Sequence, residues 1–187
     1  MKRKAIIISI KGYNLSLNEK KILSNEKPWG LILFKRNIKS FTQIKTLTKQ
    51  IRKLSKDPKF PIFIDEEGFL VSRLENIIKN NFSQKSLGDI YNLNKKVALI
   101  FYQKYIKSLI NLLKKIGINF NTVPVLDVLQ KNTSKIIDQR SFSNNPQIVK
   151  DLGKFCVDQY NNNNIATVIK HIPGHGCASV DSHFKMP

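Results

Sequence analysis

At 187 residues the chain is long enough for one domain with a substantial core and short for two. Its 41% hydrophobic content excludes a disordered or fibrous chain, and no stretch approaches the roughly 20 apolar residues needed to cross a bilayer. A formal charge of +19 raises nucleic acid as a partner, yet only five of the 32 basic residues are arginine: Arg3, Arg36, Arg52, Arg73 and Arg140. Phosphate- and base-reading surfaces favour the arginine fork. Here lysines are spread along a chain also rich in Asn and Ile, the bias an AT-rich genome produces without selection for a basic groove. No nucleic-acid-binding motif accompanies the charge, so a nucleic-acid partner is not expected.

The chain opens with Met1-Lys2-Arg3-Lys4 and a short apolar run over residues 5–10. That run is too brief for a signal peptide and lacks a small-residue cleavage site. It predicts a first buried parallel strand and a cytoplasmic protein. Residues 31–34 predict a second strand. Ser40 with Gln43 forms a capping-box pattern ahead of Phe41, Ile44, Leu47, Ile51 and Leu54, a helix that Asp57-Pro58 ends. Residues 61–64 predict a third strand. From Asn94 to Ile116, a stripe of Val97, Phe101, Tyr105, Leu109, Leu112 and Ile116 predicts a long helix stopped by Gly117. A fourth strand over 118–123 precedes Pro124. Asn145-Pro146 then opens a helix carrying Ile148, Val149, Leu152, Phe155, Cys156 and Gln159, and residues 165–170 predict the fifth strand. Cys156 and Cys177 lack metal-ligand or disulfide spacing and are expected as thiols.

This alternation means a parallel sheet covered by helices. An open doubly wound sheet usually shows a Gly-rich loop after its first strand, and Lys11-Gly12-Tyr13-Asn14 is not one. A (β/α) barrel fits better, because Asp65-Glu66, Asp127 and Lys170-His171 all fall just after strand ends, where barrel active sites lie. Five strands are legible against the eight of a full barrel.

All three histidines lie between Lys170 and His183. Asp181 stands two residues before His183, close enough for a carboxylate to orient an imidazole for acid/base work. A solvated surface loop is the plain alternative, and a metal site using His171, His175, Asp181 and His183 is another. Asp65-Glu66-Glu67-Gly68 suits either sugar hydroxyls or a helix N-cap. Arg73 and Arg140 are candidate substrate contacts.

Four segments together resemble family 3 glycoside hydrolases, specifically the bacterial β-N-acetylhexosaminidases that recycle peptidoglycan. They are residues 30–37, Ile64-Asp65-Glu66-Glu67-Gly68, Pro124-Val125-Leu126-Asp127-Val128, and Lys170-His171-Ile172-Pro173-Gly174-His175-Gly176 with Asp181-Ser182-His183. The resemblance implies one incomplete (β/α)8 barrel over residues 1–187, and removal of terminal β-linked N-acetylglucosamine from muropeptides. It also implies a retaining mechanism through a covalent glycosyl-enzyme intermediate, with His183 as acid/base and Asp181 orienting it. Asp65, Arg73, Arg140, Lys170 and His171 would bind the sugar, and His175 would hold its loop. Neither a metal nor an organic cofactor is implied, and no membrane partner.

Three departures accompany the resemblance. The family's nucleophile is an aspartate on a later strand, and no segment here matches it. Phe69-Leu70 stands where the family usually has Gly-Arg. The last barrel units are also unmatched, so a truncated or split product with a separately encoded C-terminal half is expected. A catalytically inactive sugar-binding remnant is the alternative within this lineage, and a lysine-rich nucleic-acid-binding protein the alternative outside it.

Overall fold

The computed structural model describes residues 3–181, and in it five short strands pair in parallel in the order β1-β2-β3-β4-β5. They are β1 (Lys4–Ser9), β2 (Pro28–Leu33), β3 (Ile62–Ile64), β4 (Phe120–Asn121) and β5 (Ala166–Thr167). Five α-helices lie between them: α1 (Leu17–Lys21), α2 (Phe41–Ser55), α3 (Gln84–Leu93), α4 (Lys95–Ile116) and α5 (Pro146–Asn161). Sequential parallel order is what the alternation of apolar strands and capped helices predicts. The sheet is an open arc of barrel type, with β1 and β5 as its two edges. Each expected strand is present; β2 begins earlier than its apolar run, while β3, β4 and β5 are shorter than theirs. Near β4 and β5 the pairing resumes past the strand ends, where Val125 bridges Lys170 and the Leu126 amide donates to the Lys170 carbonyl at 2.6 Å.

The main core lies between sheet and helices. Leu31, Leu33, Ile62 and Ile64 are fully buried there with Ile44 and Ile51 of α2, Leu113 of α4 and Leu152 of α5. Burying such a side chain contributes about 1.5–3 kcal/mol each. Phe63 alternates to the other side of β3 and meets Trp29 and Phe120 at ring-centroid distances of 5.6 and 4.4 Å.

Helix ends follow sequence closely in two cases. Asn94 caps α4 and Gly117 (φ 78°) ends it, while Asn145 caps α5 ahead of Pro146. Ser40 accepts from the Gln43 amide as expected, but the Gln43 side chain accepts from the Lys39 amide, so the capping box is only half formed. A complete box stands instead at Ser16 and Glu19, opening α1.

Three expectations need correction. The first strand is not buried: Ile6 and Ile7 are exposed, because β1 is an edge with a strand on one side only. The buried face of α4 is Ala98, Tyr102, Ile106, Leu109, Leu113 and Ile116, which leaves Val97 and Phe101 outward. Phe101 stacks there on Phe82 at 6.4 Å. On α5, Tyr160 rather than Gln159 completes the buried stripe.

Candidate functional site

Three carboxylates and three cations converge where β3, β4 and β5 end. The exit from β3 is held by Asn121 of β4, which is wholly buried. Its side-chain oxygen accepts from the Glu66 amide at 3.0 Å, and its amide group donates to the Glu66 carbonyl at 3.0 Å and to Tyr160 Oη at 3.1 Å. This clamp stands in for a strand ladder and fixes how three successive acids diverge.

Asp65 points to the sheet's carboxyl end, where it accepts from Thr122 Oγ1 and pairs with Arg73 Nη2 at 3.3 Å and Lys170 Nζ at 3.6 Å. Glu66 turns into the core and becomes a staple for the following segment. It accepts from Ser72 Oγ, the Arg73 and Leu74 amides, and Asn80 Nδ2 at 2.7–3.1 Å. Asp65-Glu66 therefore leads into a non-helical turn, and the N-cap alternative is excluded. Glu67 is buried and binds both Lys170 Nζ (2.5 Å) and the Arg140 fork, with Nε at 2.8 Å and Nη2 at 3.0 Å.

His171 follows Lys170 and places Nδ1 2.6 Å from Asp127 Oδ2, while Nε2 lies 3.5 Å from Arg140 Nη2. Asp127 also accepts from the amides of His175, at 2.5 Å, and Gly176. A Cβ on Gly176 would come within 2.2 Å of the Val128 carbonyl oxygen, so only glycine lets this loop close over the segment that carries Asp127. His171 is thus no solvated loop residue. His175 serves the loop through its backbone amide, with its ring 5.9 Å from that of His171.

The structure accordingly brings together Asp65, Arg73, Arg140, Lys170 and His171. Asp181 is at the end of the described residues, and His183 lies outside them. Among the described residues no group of three or more His, Cys, Asp or Glu is arranged to hold a metal. Sequence reasoning put Asp127 and Glu67 on this face without giving them partners, and it missed Thr122 and Asn121. Their signal was position alone, since each lies within a few residues of a strand end.

Electrostatics follow from burial and partners. Burial would raise the Asp65 carboxyl, but Lys170, Thr122 and Arg73 outweigh it and hold the group below its usual range. Asp127 behaves likewise, with the His171 hydrogen bond and the His175 and Gly176 amides prevailing over burial. Burial wins at Glu66, whose carboxyl is raised despite its hydrogen bonds.

A depressed folded-state pKa stabilises the fold above the unfolded value, here 3.8, and that contribution is lost as pH falls through the folded value. Glu66 shifts oppositely, so the clean readout is a difference. In urea melts, Asp127→Asn is expected to be less stable than wild type at about pH 6, with the gap narrowing towards about pH 3. A gap that stays constant over that range would contradict the assignment of Asp127 as an ionised anchor.

A parallel β/α arc with a charged polar cluster beyond its strand ends defines the class as a (β/α)-barrel protein with its site at the carboxyl end of the sheet. The model of the glycosyl hydrolase family 3 N-terminal domain matches residues 4–187, and the chain belongs to that family. It is 33% identical over 181 residues to a β-hexosaminidase of Hydrogenovibrio crunogenus, covering 97% of this chain and 50% of that protein. A β-hexosaminidase of Nitrosospira multiformis is 32% identical, with 97% and 52% covered. Among solved structures, native NagZ from Neisseria gonorrhoeae superposes with a TM-score of 0.90 at 31% identity, over 99% of this chain and 54% of that one. The same enzyme in complex with N-trifluoroacetyl-D-glucosamine gives 0.89. The chain spans about half the length of these relatives. No helix among the described residues is long and apolar enough to cross a membrane.

Proposed function

We propose that this chain forms the sugar-binding part of a retaining β-N-acetylhexosaminidase site, acting on terminal β-linked N-acetylglucosamine of peptidoglycan fragments. The observation that carries the reading is the convergence of Asp65, Arg73, Arg140, Lys170 and His171 on one end of the sheet. Asp65, Glu67 and Asp127 offset Arg73, Arg140 and Lys170 in charge, which suits a sugar without net charge. Such a network offers oriented donors and acceptors for hydroxyl and acetamido groups. The β-hexosaminidase relatives and the glucosamine-derivative complex of the gonococcal enzyme support the same ligand class.

In this scheme His183 protonates the leaving oxygen and later activates water, with Asp181 orienting its ring. Residues 1–187 form the N-terminal portion of one barrel, working with further barrel segments that contribute the nucleophile. A cytoplasmic location accords with the exposed thiol of Cys177.

A retaining enzyme needs a second catalytic group roughly 5 Å from the acid/base, beneath the anomeric carbon. The strand-end carboxylates Asp65, Glu66, Glu67 and Asp127 are all committed to partners in the described structure. The 187-residue polypeptide assayed by itself is therefore expected to bind N-acetylglucosamine weakly, seen by NMR titration. It is expected to leave an aryl N-acetyl-β-glucosaminide intact. Turnover that disappears in His183→Ala would contradict the division of labour proposed here, and absence of any binding would sink the ligand assignment.

A further inference from the structure

We infer that Glu67 is the positioning residue of this site: it sets Arg140 and Lys170 at a fixed separation, so that their remaining donors face a common ligand. The inference deepens the sugar-binding proposal and rests on it for the ligand. The elements involved have little else in common. Glu67 follows β3, Arg140 ends a 3-10 turn (Asp138–Arg140) in the long connection between β4 and α5, and Lys170 follows β5.

One carboxylate spans all three segments. Oε1 receives both Lys170 Nζ and Arg140 Nη2, and Oε2 receives Arg140 Nε. With its side chain 1% exposed and both oxygens occupied, Glu67 has no face left for a substrate. Its effect on a ligand must pass through the two cations, and this separates it from Asp65, whose side chain is 17% exposed.

The arginine geometry makes the dependence specific. A guanidinium gripped at Nε and Nη2 is fixed in plane as well as in position. A third anchor, Nη1 to the Ile136 carbonyl at 3.1 Å, leaves few outward N–H directions, including the one that brings Nη2 within 3.5 Å of His171 Nε2. Lys170 is held similarly from two sides, by Glu67 and by Thr122 Oγ1 at 3.0 Å. Removing Glu67 would leave Arg140 with its Ile136 contact and Lys170 with Thr122 and Asp65, too few anchors to hold either cation in one orientation. Around metal sites, loss of such an outer support costs about 10–100-fold in affinity, and the lower end of that scale is expected for a neutral sugar.

The test compares the 187-residue chain with Glu67→Gln and Glu67→Asp by two readouts. The first needs no ligand: exchange of the Arg140 Nε proton with solvent, by NMR on 15N-labelled protein. The second is affinity for N-acetylglucosamine. In Glu67→Gln we expect exchange at least about tenfold faster and affinity about tenfold weaker or worse, with Glu67→Asp intermediate. An Arg140 proton as protected in Glu67→Gln as in wild type would overturn the inference. If Glu67→Gln does not fold, Glu67→Asp keeps the charge and carries the test; unchanged exchange there is equally decisive against it. A wild type that binds no sugar but loses Arg140 protection in the variants would uphold the positioning role and reject the ligand.

Discussion

Replacing Arg140 by alanine is expected to destabilise the fold by about 2–3 kcal/mol, the cost of leaving a buried carboxylate oxygen unsatisfied while Lys170 still balances the charge. The group left under-satisfied would be Glu67, whose side chain is 1% exposed and receives two of its three charge-assisted hydrogen bonds from Arg140. Lys170 alone cannot satisfy both oxygens, since its ammonium lies on the Oε1 side. For a chain of this size each kcal/mol lowers the melting temperature by about 2–4 °C, so thermal and urea melts resolve the effect easily. Arg73→Ala is the control. Its side chain is 30% exposed and meets Asp65 at 3.3 Å, while Asp65 retains Thr122 and Lys170. That substitution should cost about 1 kcal/mol or less. Equal losses in the two variants would show that Lys170 and water together satisfy Glu67.

The largest effect on rate is expected at His183, in a protein that joins this chain to barrel segments bearing a nucleophile. There His183→Ala should slow turnover by about 10²–10⁴-fold on a poor leaving group, the usual weight of general acid/base catalysis. An aryl group that departs easily needs little protonation, so its first step should suffer far less. Comparing burst and steady-state rates for the two leaving groups checks this. Loss of both to the same degree would mean that His183 acts on structure or binding rather than on the proton.

Much of the architecture was legible because strands and helices here differ in period and in punctuation. Asn94 and Gly117 bracket α4, and Asn145-Pro146 opens α5, each through a backbone need that few residue types meet. Helix α3 escaped notice for a physical reason. Its buried face is Gln84, Leu87, Gly88 and Tyr91, only two of them large apolar residues. Gly88 reads as a helix breaker, yet it lets α3 approach so closely that a Cβ there would fall 1.7 Å from the Phe142 carbonyl oxygen. The α4 stripe was misplaced because Val97 and Phe101 are as apolar as the Tyr102 and Ile106 face that the core selects.

The site was legible in its charged ends and opaque in its supports. Asp65, Lys170 and His171 follow apolar runs, a position that barrel topology marks. Which of three adjacent acids faces the carboxyl end of the sheet depends on the Asn121 clamp, and no local pattern reveals a contact spanning 55 residues. Asp127 was placed by its motif, but its pairing with His171 required the loop to fold back over Gly176.

The aromatic contact on the inner side of the sheet has an optical consequence. Trp29 is the chain's only tryptophan, and it is 41% exposed while leaning on Phe63 and Phe120. Indole emission moves to shorter wavelength as water leaves the ring. Whatever segment comes to lie over those phenylalanines will therefore change the colour of the protein's own fluorescence, with no label attached.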